Sequence, residues 1–211
     1  MGNVVKFHYA KQIASLVLRR FMLLFLCISL VGCGRSLQDR VKANTIAATQ
    51  GDAVAQHNLG VMYMHGLGVN QSFPEALKWF HKAAPKGNVG SQINLGVMYN
   101  EGQGVAQDRV AAFEWFQRAA KQGNASGQNN LGFMYFRGYG VPQDNVEAVK
   151  WWHKAAEQGH PGAQISLGSM YNLGLGVPQN TPEAIKWWRK AADQGSPVAK
   201  ESLKRCGASH P

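Results

Sequence analysis

Apolar and polar positions recur along this chain with a period of 36 residues. The first pattern begins with GDAVAQHNLGVMY at 51–63 and returns, with changes, at 87–99, 123–135 and 159–171. A second pattern, an aromatic pair followed by two alanines, keeps the same spacing, with pairs at 79–80, 115–116, 151–152 and 187–188. Four units therefore fill residues 51–194, with boundaries at 51–86, 87–122, 123–158 and 159–194.

The first half of each unit predicts a helix, which we call helix A. Asp52 in the first unit is a good N-cap residue, and most of its equivalents share that property. Ala55, Leu59 and Tyr63 then fall on one face of the helix. A recurring glycine predicts the C-terminus, because the residue after a helix often adopts a left-handed conformation. These glycines are Gly66, Gly102, Gly138 and Gly174.

The second half of each unit predicts a second helix, helix B. Ser72 is its N-cap residue in the first unit, with Asp108, Asp144 and Asn180 as equivalents. At about 100° per residue, Ala76, Trp79 and Phe80 lie in one stripe, whereas Lys82 points away from it. We therefore predict that both members of each aromatic pair lie in the core. The basic residues are predicted to lie on a solvated face.

Glycine also recurs in the middle of helix A, at Gly60, Gly96, Gly132 and Gly168. Glycine inside a helix costs up to about 1 kcal/mol relative to alanine, so its recurrence predicts the close approach of another helix. One helix pair cannot bury two aromatic columns, and the units must therefore stack. The sequence predicts an all-α solenoid of helix-turn-helix units. Flanking segments predict a short capping helix at about 39–50 and a C-terminal capping helix and tail at 195–211.

The four units share the consensus Ala-x3-Leu-Gly-x-Met-Tyr-x2-Gly-x-Gly-Val, followed by Ala-x2-Trp-aromatic-x-Lys-Ala-Ala-x2-Gly. This consensus resembles the Sel1-like repeat, which belongs to the tetratricopeptide-like superfamily. The resemblance implies a right-handed α/α solenoid in which helix A lines the concave side. The cysteine-rich members of the family, for which penicillin binding has been proposed, match poorly, because this chain has no cysteine between residues 34 and 205.

The N-terminal segment contains an apolar run at 21–31, preceded by Arg19 and Arg20 and followed closely by Cys33. The run is shorter than the roughly 20 residues that span a bilayer, and its basic flank is typical of a signal peptide. The sequence Leu30-Val31-Gly32-Cys33 resembles the lipobox of bacterial lipoproteins. This resemblance implies that residues 1–32 are a signal peptide and that Cys33 carries a lipid anchor.

Residues 33–50 would then be a lipidated N-terminus and a capping helix, and the protein is expected in the bacterial cell envelope. Gly34 is not the Asp that retains lipoproteins in the inner membrane of enteric bacteria, which favours the outer membrane. An ordinary signal peptide and an uncleaved anchor with an incidental cysteine are the alternatives.

Composition excludes several classes of protein. A hydrophobic content of 45% favours a folded chain over a disordered one. Three cysteines without zinc-type spacing exclude a disulfide scaffold and a zinc finger. Cys206 stands alone near the C-terminus, and either pairs between chains or is inert.

Motifs for chemistry are not found. No nucleophile is accompanied by its base, and no histidines have the spacing of helical metal ligands. His57, His81 and His153 are predicted to be surface residues. The net charge of +10 and a basic column on helix B are compatible with nucleic acid, but an exported protein rarely meets it. We therefore predict no catalytic residue, no metal, no cofactor and no nucleic-acid partner.

A polar stripe on helix A is the candidate binding surface, because the resemblance places this helix on the concave side. Repeated amide groups suit hydrogen bonds to an extended peptide backbone or to a glycan. Phe133 and Arg137 would be the anchors near the middle of the groove. The predicted partner-binding residues are Asn58, Asn94, Asn130, Phe133, Arg137 and Ser166. The first hypothesis is a scaffold for a partner protein or peptide, and the alternative is an accessory protein for peptidoglycan or exopolysaccharide handling.

Overall fold

Helices account for most of residues 36–208, the part of the chain that the computed structural model describes. Within these residues there are ten α-helices and one 3-10 helix, and there is no strand. The α-helices are α1 (Leu37–Thr49), α2 (Ala53–His65), α3 (Phe73–Ala83), α4 (Val89–Glu101), α5 (Arg109–Lys121), α6 (Ala125–Arg137), α7 (Asn145–Glu157), α8 (Pro161–Leu173), α9 (Thr181–Asp193) and α10 (Pro197–Arg205). None of these helices combines the length and the apolar character needed to cross a membrane. The predicted signal peptide and Cys33 lie outside the described residues.

The helices form a solenoid, which confirms the predicted fold class. Helices α2, α4, α6 and α8 are the four predicted helices A, and α3, α5, α7 and α9 are the helices B. From α2 to α10, each helix packs mainly on its neighbours in sequence. Such packing builds a series of small local cores in place of one central core.

Polar side chains begin the helices where the sequence predicts. The side chain of Asp52 accepts a hydrogen bond from the N–H of Ala55 at 2.6 Å, and α2 ends at Gly66 with φ of 68°. His160 is a less common N-cap residue, yet its Nδ1 accepts the N–H of Ala163 at 3.2 Å. The helix boundaries therefore depend on local side-chain chemistry that recurs in each unit.

The mid-helix glycines let helix B approach helix A closely, as predicted. A Cβ atom at Gly96 would lie 2.5 Å from the ring of Phe116, and one at Gly132 would lie 2.8 Å from the indole of Trp152. Real Cβ contacts are essentially never this short, so a side chain at either position would displace the ring.

The aromatic pairs only partly follow the prediction. The second member of each pair is buried, with exposed fractions of 0% for Phe80, 4% for Phe116, 3% for Trp152 and 4% for Trp188. The first member is only half-buried in the middle units, at Trp115 and Trp151.

The outer face of these two tryptophans is covered by a cation. The guanidinium carbon of Arg118 lies 4.5 Å from the ring centroid of Trp115, and Nζ of Lys154 lies 4.2 Å from that of Trp151. The prediction that both aromatics of every pair lie in the core is thus wrong at these positions. The basic column is not a simply solvated face, because its side chains stack on tryptophan.

A ladder of glutamine pairs, which the sequence analysis missed, joins helix A to the C-terminal end of helix B within a unit. Nε2 of Gln122 donates to Oε1 of Gln92 at 2.8 Å, and Nε2 of Gln158 donates to Oε1 of Gln128 at 2.7 Å. The accepting glutamines are at most 5% exposed, so each bond satisfies a polar group inside the core.

The ladder is incomplete at the first unit. Lys86 occupies the position equivalent to Gln122, and its Nζ donates to the carbonyl oxygen of Gly51 at 2.5 Å. As a result, Oε1 of Gln56 is buried without a hydrogen-bond partner among the described residues. In the last unit, Nε2 of Gln194 reaches both equivalent acceptors, the Gly159 oxygen at 3.0 Å and Gln164 Oε1 at 2.9 Å.

We therefore expect Lys86→Gln to stabilise the protein, because the new amide can pair with Gln56 and still bond to Gly51. The expected gain in the free energy of unfolding is about 0.5–1.5 kcal/mol, measured by urea denaturation followed by circular dichroism. Lys86→Ala is the control, since it removes the bond to Gly51 without pairing Gln56. Equal stability of the Gln and Ala variants would contradict this account of the ladder.

Candidate partner-binding groove

A cleft of about 350 Å³ opens across the helices A of the second, third and fourth units. Its floor is apolar and consists of the side chains of Phe116, Met134 and Trp152. Its walls carry amides, a hydroxyl, a carboxylate and an exposed aromatic ring, contributed by Asn100, Asn129, Asn130, Ser166, Glu101 and Phe133. Val97 and Gly162 complete the lining. The cleft thus combines an apolar base with polar groups at its rim, as binding sites for organic ligands commonly do.

The floor is positioned by packing between helices A and B. Trp152 of α7 lies under α6, where Gly132 leaves room for its ring. Its Nε1 donates to the backbone oxygen of Asn129 at 3.1 Å, which fixes the indole below the cleft. The floor therefore belongs to the rigid core of the solenoid.

Three of the predicted partner-binding residues line the cleft together: Asn130, Phe133 and Ser166. Phe133 is 40% exposed, unusually high for a large aromatic side chain in a folded domain. Arg137 lies one turn further along α6, and its guanidinium carbon is 5.7 Å from the ring centroid of Phe133. The structure therefore places Phe133 in the lining of the cleft and Arg137 beside Phe133, outside that lining.

The other two predicted residues do not line the cleft. Asn94 is half-buried on α4. Asn58 is exposed on α2, and its Nδ2 donates to Oδ1 of Asn44 at 3.3 Å. The side chain of Asn58 is therefore hydrogen-bonded to α1.

Two lining residues were missed by the sequence analysis, Asn100 and Asn129. Asn100 is half-buried, but its Oδ1 is fully buried and has no hydrogen-bond partner among the described residues. An unpaired buried acceptor costs about 1–3 kcal/mol. Asn129 stands where other units have His57, Ile93 or Ile165, and this departure from the pattern was the available signal.

The histidines differ from the surface residues that were predicted. Nδ1 of His57 lies 3.0 Å from Oγ of Ser91, and Nε2 of His81 lies 3.0 Å from the hydroxyl of Tyr99. Both rings are half-buried and join neighbouring units. His153 is more exposed and lies 3.4 Å from a carboxylate oxygen of Glu157. Within residues 36–208, no cluster of three or more His, Cys, Asp or Glu residues is arranged to hold a metal ion.

Burial lowers the pKa of His57, His81 and His160 below the ordinary value of 6.5. The unfolded chain therefore takes up protons at these sites before the folded chain does. Their contribution to stability is complete above about pH 6.5 and is lost as the pH falls below that value. We expect the melting temperature to fall between pH 7 and pH 5.

The variant His160→Asn tests one part of this dependence, because Asn88 and Asn124 cap the equivalent helices. The neutral imidazole of His160 accepts the N–H of Ala163, and protonation of Nδ1 would remove that acceptor. The substituted amide would keep the cap at every pH, so the melting temperature should fall less between pH 7 and pH 5 than in the wild type. Parallel pH profiles for the two proteins would contradict this role of His160.

The family model for the Sel1 repeat matches residues 53–88, 89–124, 125–160 and 161–196. Each match begins two residues after the corresponding predicted unit and has the same length of 36 residues. No curated protein matches the chain.

Solved structures share the fold. A Sel1 repeat protein from Oxalobacter formigenes has 40% sequence identity and a TM-score of 0.73, and the match covers 82% of this chain and 50% of that one. A protective antigen of uropathogenic Escherichia coli strains, displaying an SLR fold, has 38% identity and a TM-score of 0.74, covering 80% of this chain and 37% of that one. An immunity protein from Pseudomonas aeruginosa has 26% identity and a TM-score of 0.54, covering 82% and 64%. This chain therefore spans half or less of the first two of these relatives.

Proposed function

The chain belongs to the Sel1 repeat family, whose repeats mediate protein–protein interaction, and from this premise we propose that it is a non-enzymatic scaffold that binds a partner protein or peptide in its concave groove. The observation that carries the proposal is the cleft across α4, α6 and α8, where amides surround an apolar floor. The amides of Asn100, Asn129 and Asn130 offer donors and acceptors to a peptide backbone. The floor and Phe133 offer apolar area to a side chain.

A scaffold of this kind needs no reactive group. Its specificity comes from side chains that vary between units at equivalent positions, such as Val97, Phe133 and Ser169. Helix A keeps these positions aligned along the solenoid, so an extended ligand would contact several units in turn. Aromatic and arginine residues contribute most of the binding energy at such interfaces, and Phe133 with Arg137 is the pair of that kind on α6.

A second candidate function is the recognition of a glycan, as an accessory protein for peptidoglycan or exopolysaccharide handling. The amide cluster in the cleft favours it, because amides also pair with sugar hydroxyls. Affinity capture from an envelope extract, run beside binding to purified cell-wall and capsular sugars, separates the two functions. Saturable capture of a protein without sugar binding would support the scaffold, and saturable sugar binding alone would reject it.

We also propose that the scaffold is lipid-anchored at Cys33 in the outer membrane. This proposal is supported by the lipobox-like sequence at 30–33 and by Gly34. Acyl chains add about 0.8 kcal/mol of membrane affinity for each buried methylene, so the anchor would hold the groove at the membrane surface.

Replacing Cys33 with alanine is expected to abolish lipidation and to leave the signal peptide uncleaved. Metabolic labelling with an alkynyl fatty acid measures the first effect, and the apparent mass on a gel measures the second. Cys27→Ala is the matched control, because it lies in the same segment and should keep the label. Label retained in Cys33→Ala would reject the anchor.

A further inference from the structure

Two arginines, Arg109 and Arg137, lie near the ring of one tyrosine, Tyr139. The guanidinium carbon of Arg109 lies 3.7 Å from the ring centroid of Tyr139, and that of Arg137 lies 5.9 Å from the same centroid. The tyrosine ring in turn packs against Phe133, with 6.0 Å between centroids, and Phe133 lines the cleft. The arginine pair is thus continuous with the wall of the cleft.

The turn that carries Tyr139 is held against the start of α5. Gly140 has φ of 70°, and a Cβ atom there would collide with the backbone of Arg109. The turn of the third unit therefore packs directly on the first residue of helix B in the second unit. This close contact keeps Arg109 and Tyr139 together, so the cation–aromatic contact does not depend on a mobile loop.

Neither guanidinium has a carboxylate partner in residues 36–208. Ion pairs in this part of the chain join Lys78 to Glu75, Lys150 to Glu147, His153 to Glu157 and Lys186 to Glu183. Arg109 and Arg137 are both exposed, so their N–H donors are available, and the guanidinium of Arg109 lies over the ring of Tyr139. Two like charges near one ring repel each other, and a bound anion would relieve that repulsion.

We propose that Arg109 and Arg137 bind a carboxylate of the partner peptide, and that an apolar side chain near this carboxylate fills the cleft beside Phe133. The inference rests on the proposed function, since it names the chemistry of the peptide that this groove binds. Guanidinium groups recognise carboxylates through paired, charge-assisted hydrogen bonds. The apolar floor of Phe116, Met134 and Trp152 favours a peptide side chain over a sugar, which would bring hydroxyl groups to it.

The spacing within the peptide follows from the geometry of α6. Phe133 and Arg137 are four residues apart on a helix, which corresponds to about 6 Å along its axis. Where an extended peptide passes from Phe133 to Arg137, it advances about 3.3 Å per residue, so the acidic residue lies about two positions from the apolar one.

The test begins with a phage-displayed library of random 12-residue peptides, selected on the immobilised full chain. We expect enrichment of Asp or Glu one to three positions from an aromatic or large aliphatic residue. Selected peptides without any acidic enrichment would overturn the arginine proposal. If the selected peptides still required Phe133 for binding, the proposed scaffold function would stand and only the arginine proposal would fail. If no peptide were selected and a uronic-acid oligosaccharide bound instead, both proposals would fail.

A double-mutant cycle then tests the contact itself. One selected peptide is made with a fluorophore, and a second with Asn or Gln in place of its acidic residue. For the acidic peptide, Arg109→Gln with Arg137→Gln should raise Kd by about tenfold to a hundredfold, and Lys82→Gln with Lys154→Gln should not change it. The neutral peptide should bind wild type and the arginine variant equally weakly. An equal loss of affinity for both peptides would mean that the arginines act only on the structure and would overturn the proposal.

Discussion

Replacing Phe116 with alanine is expected to lower the free energy of unfolding by about 3–5 kcal/mol. The ring is 4% exposed and packs with Ala112, Leu131 and Met134 in the core between the second and third units. Its loss leaves a cavity that both units share, so the damage should spread to the neighbouring repeats. Urea denaturation followed by circular dichroism measures the change.

The matched control is Trp115→Ala on the same helix. Trp115 is the larger side chain, but it is half-buried and its outer face is covered by Arg118. Its removal exposes little new core surface and should cost about half as much as the loss of Phe116, or less. Equal losses for the two variants would contradict the burial pattern of the aromatic pair.

Gly96 supplies a second test of the same contact. In the wild type, Gly96→Ala places a methyl group against the ring of Phe116 and should be strongly destabilising. In the Phe116→Ala background, the methyl group enters vacated space, and its cost should fall by about 1 kcal/mol or more. Additive effects of the two substitutions would argue against the close approach.

The helices were predictable from the sequence because their determinants are local. A cap such as Asp52 acts on the next three residues, and a terminal glycine such as Gly66 acts on the preceding turn. The close approach at Gly96 was also predictable, because no local preference explains glycine inside four equivalent helices. The spacing of 36 residues then showed which helices are equivalent.

The depth of burial was less predictable. Helical phase gives the direction of a side chain but not how far the neighbouring unit covers it. Trp115 and Trp79 occupy equivalent positions on helix B, yet Trp79 is buried, with 8% of its surface exposed, whereas Trp115 is only half-buried. The side chains that bury Trp79, such as those of Ala48 and Leu59, belong to other helices, so their position depends on how the units stack.

Long-range polar contacts were missed for a related reason. Gln92 and Gln122 lie 30 residues apart, and each of them alone is an ordinary polar residue on a helix. The bond between them exists only when the two helices of their unit take their observed relation. In the same way, the unpaired Oδ1 of Asn100 and the contact between Arg109 and Tyr139 become visible only in three dimensions.

Replacing both Phe133 and Arg137 with alanine is expected to abolish capture of the partner protein or peptide. Phe133 contributes exposed apolar area at the wall of the cleft, and Arg137 contributes a charge beside the Phe133 ring. Buried aromatic and arginine anchors each cost about 2 kcal/mol or more when truncated, so losing both weakens binding by about three orders of magnitude. Affinity capture with the full chain, quantified against wild type, measures the loss.

The melting temperature and helical content of this variant should stay close to those of the wild type, because both side chains are exposed. Lys82→Ala with Lys154→Ala is the matched control on helix B, where each lysine stacks on a tryptophan at about 4 Å. That control should retain the partner. Loss of the partner from the lysine pair, with retention by the Phe133 and Arg137 pair, would place the binding face on helix B.

Site-specific photo-crosslinking in intact cells tests the groove most directly. One full-length variant carries the photoreactive residue in place of Asn130 in the cleft, and the other carries it in place of Lys150, an exposed residue of helix B. The groove account predicts a discrete protein adduct from position 130 and none from position 150. An adduct from position 150 alone would contradict it.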